Sequence, residues 1–160
     1  MRNDFELFFE SIRLGNKYRL EALLGINPKL VDATDSRGFK PLILTTYFDD
    51  EAASKILIQH NANIEAKDSL GNTALIGVSF KGNISLASLL IKEGADINAS
   101  NNDGITPLII ASQYNNEHII KLLIEKGADI SIKDNFGKTA FDYALENNYS
   151  HLLDILKNNL

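Results

Sequence analysis

The sequence predicts an all-α solenoid of stacked helix-turn-helix pairs joined by short β-hairpin-like finger loops. The first observation behind this is a period: Gly38, Gly71, Gly104 and Gly137 stand 33 residues apart. A fixed repeat of roughly 20–50 residues marks a stacked array, because each unit buries its apolar face only against the next. The second is that other columns keep the same register. Asp35, Asp68, Asn101 and Asp134 align, then Lys40, Thr73, Thr106 and Thr139, then Pro41, Ala74, Pro107 and Ala140, with Leu42, Leu75, Leu108 and Phe141 following. The third is that residues suited to stopping a helix recur twice per period, which divides each unit into two short helices.

The first helix of a unit begins at Thr106-Pro107. A threonine hydroxyl accepts from an orphan N–H, and proline is pre-shaped for the first helical position, where its missing donor costs nothing. Thr73 and Thr139 repeat the cap without the proline. The same offset lines up Asn16, Asp49, Gly82, Asn115 and Asn148, residue types able to take the left-handed conformation that closes a helix. The second helix carries Ile119, Ile120, Leu122, Leu123 and Ile124, too many apolar positions for one stripe, so it packs on more than one side. Leu57, Leu90, Leu123 and Leu156 form its core column, and Asn61, Gly94 and Gly127 end it. An extended segment follows, with a tight turn whose φ > 0 position falls on Gly38, Gly71, Gly104 and Gly137.

The end units differ. Residues 2–34 carry Phe5, Phe8, Phe9 and Ile12 on one helical face, then Leu20, Leu23 and Leu24, with Asn27-Pro28-Lys29-Leu30-Val31 as an altered loop: an N-terminal cap. Residues 134–160 finish on Lys157, Asn158 and Asn159, as a solubilising C-terminal cap does. The expected organisation is a single domain, 1–160, with full units at 35–67, 68–100 and 101–133.

Composition narrows the function classes. With 16 Lys plus Arg against 21 Asp plus Glu, the net charge of −5 disfavours nucleic acid, whose binding is driven by cations that displace counterions. At 44% hydrophobic and 23% charged, the chain can bury a core. The absence of Cys removes disulfides, thiolate zinc sites and a cysteine nucleophile, and fits a reducing compartment. Asp4, Glu6 and Glu10 stand where a secretory leader would be basic and then apolar, and no run approaches the roughly 18 apolar residues of a membrane span. A soluble, cytoplasmic monomer is expected.

The stretch Asp-Gly-Ile-Thr-Pro-Leu at 103–108, with Leu122-Leu123 and Gly127-Ala128-Asp129-Ile130, resembles the consensus unit of the ankyrin repeat family. The resemblance implies a non-enzymatic protein-protein interaction module that binds a partner protein through its concave face, using finger tips and the exposed side of the first helices. Those positions include Arg37, Phe39, Tyr47 and Phe48, then Leu70, Phe80 and Lys81, then Ile105, Gln113 and Tyr114, and finally Phe136. Of the 8 Phe and 5 Tyr, Phe39, Tyr47, Phe48, Phe80, Tyr114 and Phe136 fall there, outside the core columns. Aromatic and Arg residues are the types enriched in binding hot spots. One departure is general: the family often has His after Thr-Pro-Leu, where this chain has Ile43, Ile76, Ile109 and Asp142. The isoleucines are expected to add packing instead of a Thr to His hydrogen bond.

Alternative readings are a stoichiometric inhibitor or regulatory subunit of a cytosolic enzyme, and an enzyme without a recognisable catalytic motif. Against the latter, no insertion breaks the 33-residue period to form a pocket, and no nucleophile has an evident base. His118 and His151 share a column, but equivalent points on packed helices lie roughly 8–10 Å apart, too far for a shared metal. No catalytic residue, cofactor or metal is implied.

Overall fold

The computed structural model describes residues 3–159. Among them are ten α-helices in five pairs: α1 (Asp4–Arg13) and α2 (Lys17–Ile26), α3 (Pro41–Tyr47) and α4 (Glu51–Gln59), α5 (Ala74–Lys81) and α6 (Ile84–Lys92), α7 (Pro107–Gln113) and α8 (Glu117–Glu125), α9 (Ala140–Glu146) and α10 (Ser150–Lys157). A 3-10 turn, Pro28–Asp32, follows α2. Each first helix stacks on the next, α1 on α3 through to α9, and each packs against its own second helix.

The caps follow from the threonine column. The Thr73 and Thr106 hydroxyl oxygens accept from the Ile76 and Ile109 N–H groups, each at 3.3 Å. In α9 the Asp142 carboxylate also reaches back, accepting the Thr139 N–H at 2.8 Å and its hydroxyl at 2.9 Å, a reciprocal capping box. Ile76 and Ile109 are buried, so in those two repeats packing replaces a polar partner, and in the last repeat Asp142 keeps one.

First helices end in left-handed residues at Asp49 (φ 57°), Gly82 (79°), Asn115 (59°) and Asn148 (59°), and second helices at Asn61 (62°), Gly94 (93°) and Gly127 (92°). The first repeat departs from the expected register. Its left-handed residue is Gly15 (φ 63°), whereas Asn16, at φ −83°, instead caps α2 by accepting from the Arg19 N–H. Asn16 therefore corresponds to Asp50, which caps α4 in the same way. The offset is recovered by Asp32, because one residue more separates Asn16 from Asp32 than separates Asp50 from Glu65.

Between pairs, the fingers turn tightly, and no strand forms among the described residues. Each finger closes with one hairpin-type bond across the turn, Asp35 N–H to Phe39 O, Asp68 to Asn72, Asn101 to Ile105 and Asp134 to Lys138. Two ladders then tie neighbouring units. At the finger bases the Asp32, Glu65 and Asn98 side chains accept the N–H groups of Asn63, Asp96 and Asp129. At the tips, Asn102 donates its N–H to Leu70 O (3.0 Å) and its amide to Ser69 O (3.2 Å), and Asn135 does the same to Asp103 O and Asn102 O, both at 2.9 Å. Ser69 stands where those asparagines do, and among the described residues no such bond joins finger 68–72 to finger 35–39.

One apolar core runs the length of the stack from Phe8 to Leu156. At its last finger Asp134 is buried, accepting from the N–H groups of Phe136 (2.9 Å) and Lys138 (3.0 Å) and from the Tyr143 hydroxyl. Burial by itself would push this carboxyl up, but the Tyr143 hydroxyl and the two N–H groups outweigh it and hold it below its ordinary 3.8. A carboxyl depressed on folding contributes stability that is fully present above its unfolded value and is lost as pH falls through the folded one. Asp134→Asn is thus expected to lower stability at pH 7 by about 1 kcal/mol or more. The difference from the wild type should begin to shrink near pH 4 and close as pH falls through the lowered folded-state value, which unfolding curves at several pH values would check.

Candidate functional site

One side of the stack is built by fingers and by the exposed edges of the first helices. α3 ends on Tyr47 with Phe48 after it, α5 on Phe80 and Lys81, and α7 on Gln113 with Tyr114 after it. Because first helices stack in register, these residues fall side by side. Phe80 and Tyr114 meet edge to face with ring centroids 4.5 Å apart, and Tyr47 and Phe48 at 5.6 Å. All four stay at least 45% exposed, at 65% for Tyr47, 45% for Phe48, 47% for Phe80 and 54% for Tyr114.

Between these rings and the fingers 35–39 and 68–72 lies a groove of about 600 Å³. Eight of the sequence-predicted residues line it: Arg37, Phe39, Tyr47, Phe48, Leu70, Phe80, Lys81 and Tyr114. Ile105 and Gln113 are half-buried and lie outside it, and Phe136, though exposed, sits on the last finger. Lining residues that the sequence reading did not single out include Ile43, Leu44, Asp68, Gly77 and Ile110. Gly77 explains the shape. Its column carries Leu44, Ile110 and Tyr143 in the second, fourth and fifth repeats, and a Cβ on Gly77 would meet nothing within 4 Å. An isolated glycine inside a helical pattern is the one sequence signal that could have marked it.

Both cations at the groove are met from within the chain. Arg37 pairs with Asp35 at 3.3 Å and lies 5.3 Å over the Phe39 ring. Lys81 reaches back to the second repeat, bonding the Tyr47 carbonyl and the Asp49 carboxylate and lying 5.3 Å from the Tyr47 ring centroid. Burial would raise Asp35 and Asp49, but hydrogen bonds from Phe39 and Arg37 in the first case, and from Lys81 and Asn83 in the second, hold both below the usual aspartate value. Asp68 differs. Its carboxylate accepts the N–H groups of Leu70 and Asn72, each at 2.9 Å, and the Asn72 amide at 3.2 Å, and no cation among the described residues pairs with it.

The sequence model of a family described as ankyrin repeats (3 copies) matches residues 8–101 and, again, 75–159. The chain belongs to the ankyrin repeat family. Ankyrin stacks are protein-interaction modules, typically without catalysis, and their partners are proteins. No curated protein matches this ankyrin chain. No helix among its described residues is long and apolar enough to cross a membrane. Of the histidines in its second helices, His151 lies with Glu117 and His118 in a shallow polar cleft, its Nε2 3.8 Å from the Glu117 carboxylate.

Proposed function

We propose that this ankyrin stack binds a partner protein in the cytoplasm through its concave face, with Phe39, Tyr47, Phe48, Phe80 and Tyr114 as the anchoring side chains. The observation that carries the reading is the gathering of half-exposed rings around one groove. Contiguous apolar surface is rare on a monomer with nothing to bind, and aromatic side chains dominate binding hot spots. Rigidity helps: a preformed surface lowers the ordering cost of association. Arg37 and Lys81, held by Asp35 and Asp49, brace two of the rings and border the site with charge that is already compensated.

Capture of partner proteins from the source cell by Phe80→Ala and by Tyr114→Ala tests this. Hot-spot truncation typically removes about 2 kcal/mol, and every 1.4 kcal/mol is tenfold, so each variant should bind its partner about thirtyfold more weakly. The unfolding midpoint should hardly move, since both rings lie outside the buried core. Lys92→Ala with Glu125→Ala, exposed on second helices, should leave capture nearly unchanged. A folded Phe80→Ala that captures the partner at full strength would overturn the proposal.

A further inference from the structure

Gly77 and Asp68 both line the groove; the fold does not require a glycine at 77, and at 68 it uses an acceptor that the uncharged Asn101 supplies equally in the next finger. Gly77 is mid-helix in α5, has no left-handed backbone to require it, and would meet nothing on gaining a side chain. Glycine is a poor residue for a helix interior, so its presence there leaves α5 weaker than alanine or leucine would. What it provides is space: a notch in a column that Leu44 and Ile110 fill in the adjoining repeats. Asp68 is the second oddity. In its own column Asp35 is paired with Arg37, Asn101 is uncharged, and Asp134, on the last finger, is buried and accepts from two N–H groups and the Tyr143 hydroxyl, whereas Asp68 lies at the groove with three neutral donors. An ionised carboxylate offers about four acceptor sites, so one is left over. The groove therefore combines an apolar notch with a carboxylate that no cation pairs with among the described residues.

The geometry points to a specific occupant: a protein segment that seats one bulky apolar side chain in the Gly77 notch and sets a Lys or Arg close to it in sequence against Asp68. This rests on the concave face being the binding site and adds the chemistry of what enters it. Charge complementarity decides between segments. The cations already present are paired with Asp35 and Asp49, so an acidic segment finds no unpaired cation there, while a basic one meets Asp68.

The probe is a library of random dodecapeptides displayed on phage, selected on the 160-residue chain. Recovered sequences should carry a Leu, Met, Phe or Trp with Lys or Arg within about three positions. A synthetic copy of the best peptide should bind Gly77→Leu at least tenfold more weakly, because the new side chain occupies the notch as Leu44 does in its own repeat. That variant should melt no lower than the wild type, since leucine is the better helix former and has room. Asp68→Asn should weaken the same peptide several-fold and flatten the salt dependence of its binding, as loss of an ion pair does. Recovery of acidic peptides, of no binders, or of peptides that bind Gly77→Leu undiminished would overturn the inference. So would a wild-type dimer in sedimentation that Gly77→Leu makes monomeric, which would assign the notch to a second copy of the chain. Retained loss of partner capture by Phe80→Ala alongside full capture by Gly77→Leu would leave the concave-face reading standing and remove only this refinement.

Discussion

Leu90→Ala and Leu123→Ala are each expected to destabilise the protein by about 2–5 kcal/mol, the range for truncating a buried leucine. Both side chains are fully buried, at 0% exposure, in equivalent positions of α6 and α8, which pack on one another. Truncation removes transfer free energy and leaves a cavity around which helices packed between their neighbours relax only in part. Nor is the loss local. Each repeat buries its apolar face only against its neighbours, so weakening a central interface lowers the stability of the whole array. Urea unfolding gives the check: the midpoint should fall for both variants, and for Leu145→Ala, 53% exposed on α9, it should barely change. A midpoint that stays put for Leu90→Ala would contradict the stacking described here.

Gly71→Val should be as damaging, for a different reason. Gly71 has φ 79°, where any side chain crowds its own backbone at roughly 1–2 kcal/mol. In addition, a Cβ there would stand 2.4 Å from Asn102 Oδ1 and 2.9 Å from the Asn102 backbone nitrogen. The next finger would have to move, and with it would go the bonds from Asn102 to Leu70 O and Ser69 O, each worth about 1 kcal/mol. Gly38 separates the two contributions, because at φ 88° it has nothing within 4 Å of a Cβ. Gly38→Ala should therefore show the conformational cost alone, and Gly71→Ala that cost plus the displaced finger. Equal losses at both positions would mean that the tip bonds contribute nothing to stability.

These two predictions draw on features of unequal legibility. The 33-residue columns showed the helix pairs, the threonine caps and the left-handed stops from Asp49 onward, because each depends on residue type at a fixed local spacing. The first repeat was misread at one point for the same reason. Gly15 and Asn16 can both be left-handed, and the choice between them is made by packing of the longer α2 and the 3-10 turn after it. At the groove, the exposed rings stood out as aromatic residues in columns that vary. Gly77 did not, since an absent side chain has no chemistry to notice until its neighbours are placed around it. The neutralisation of Lys81 was equally hidden: its partners Asp49 and the Tyr47 carbonyl come from the preceding repeat, 32 and 34 residues away.

The unequal finger ladder gives the finger side of the groove one stiff member and one looser one. The finger 68–72 is tethered to its neighbour through the Asn102 bonds and, beyond it, to the last finger through Asn135, so displacing it breaks backbone hydrogen bonds. Its neighbour on the same side, finger 35–39, has no such backbone bond to finger 68–72 among the described residues, so displacing it would cost side-chain contacts only. An arriving ligand of uncertain girth would thus be accommodated by outward give of the Arg37 and Phe39 side, while Leu70 and the rings behind it keep their positions as a fixed reference surface.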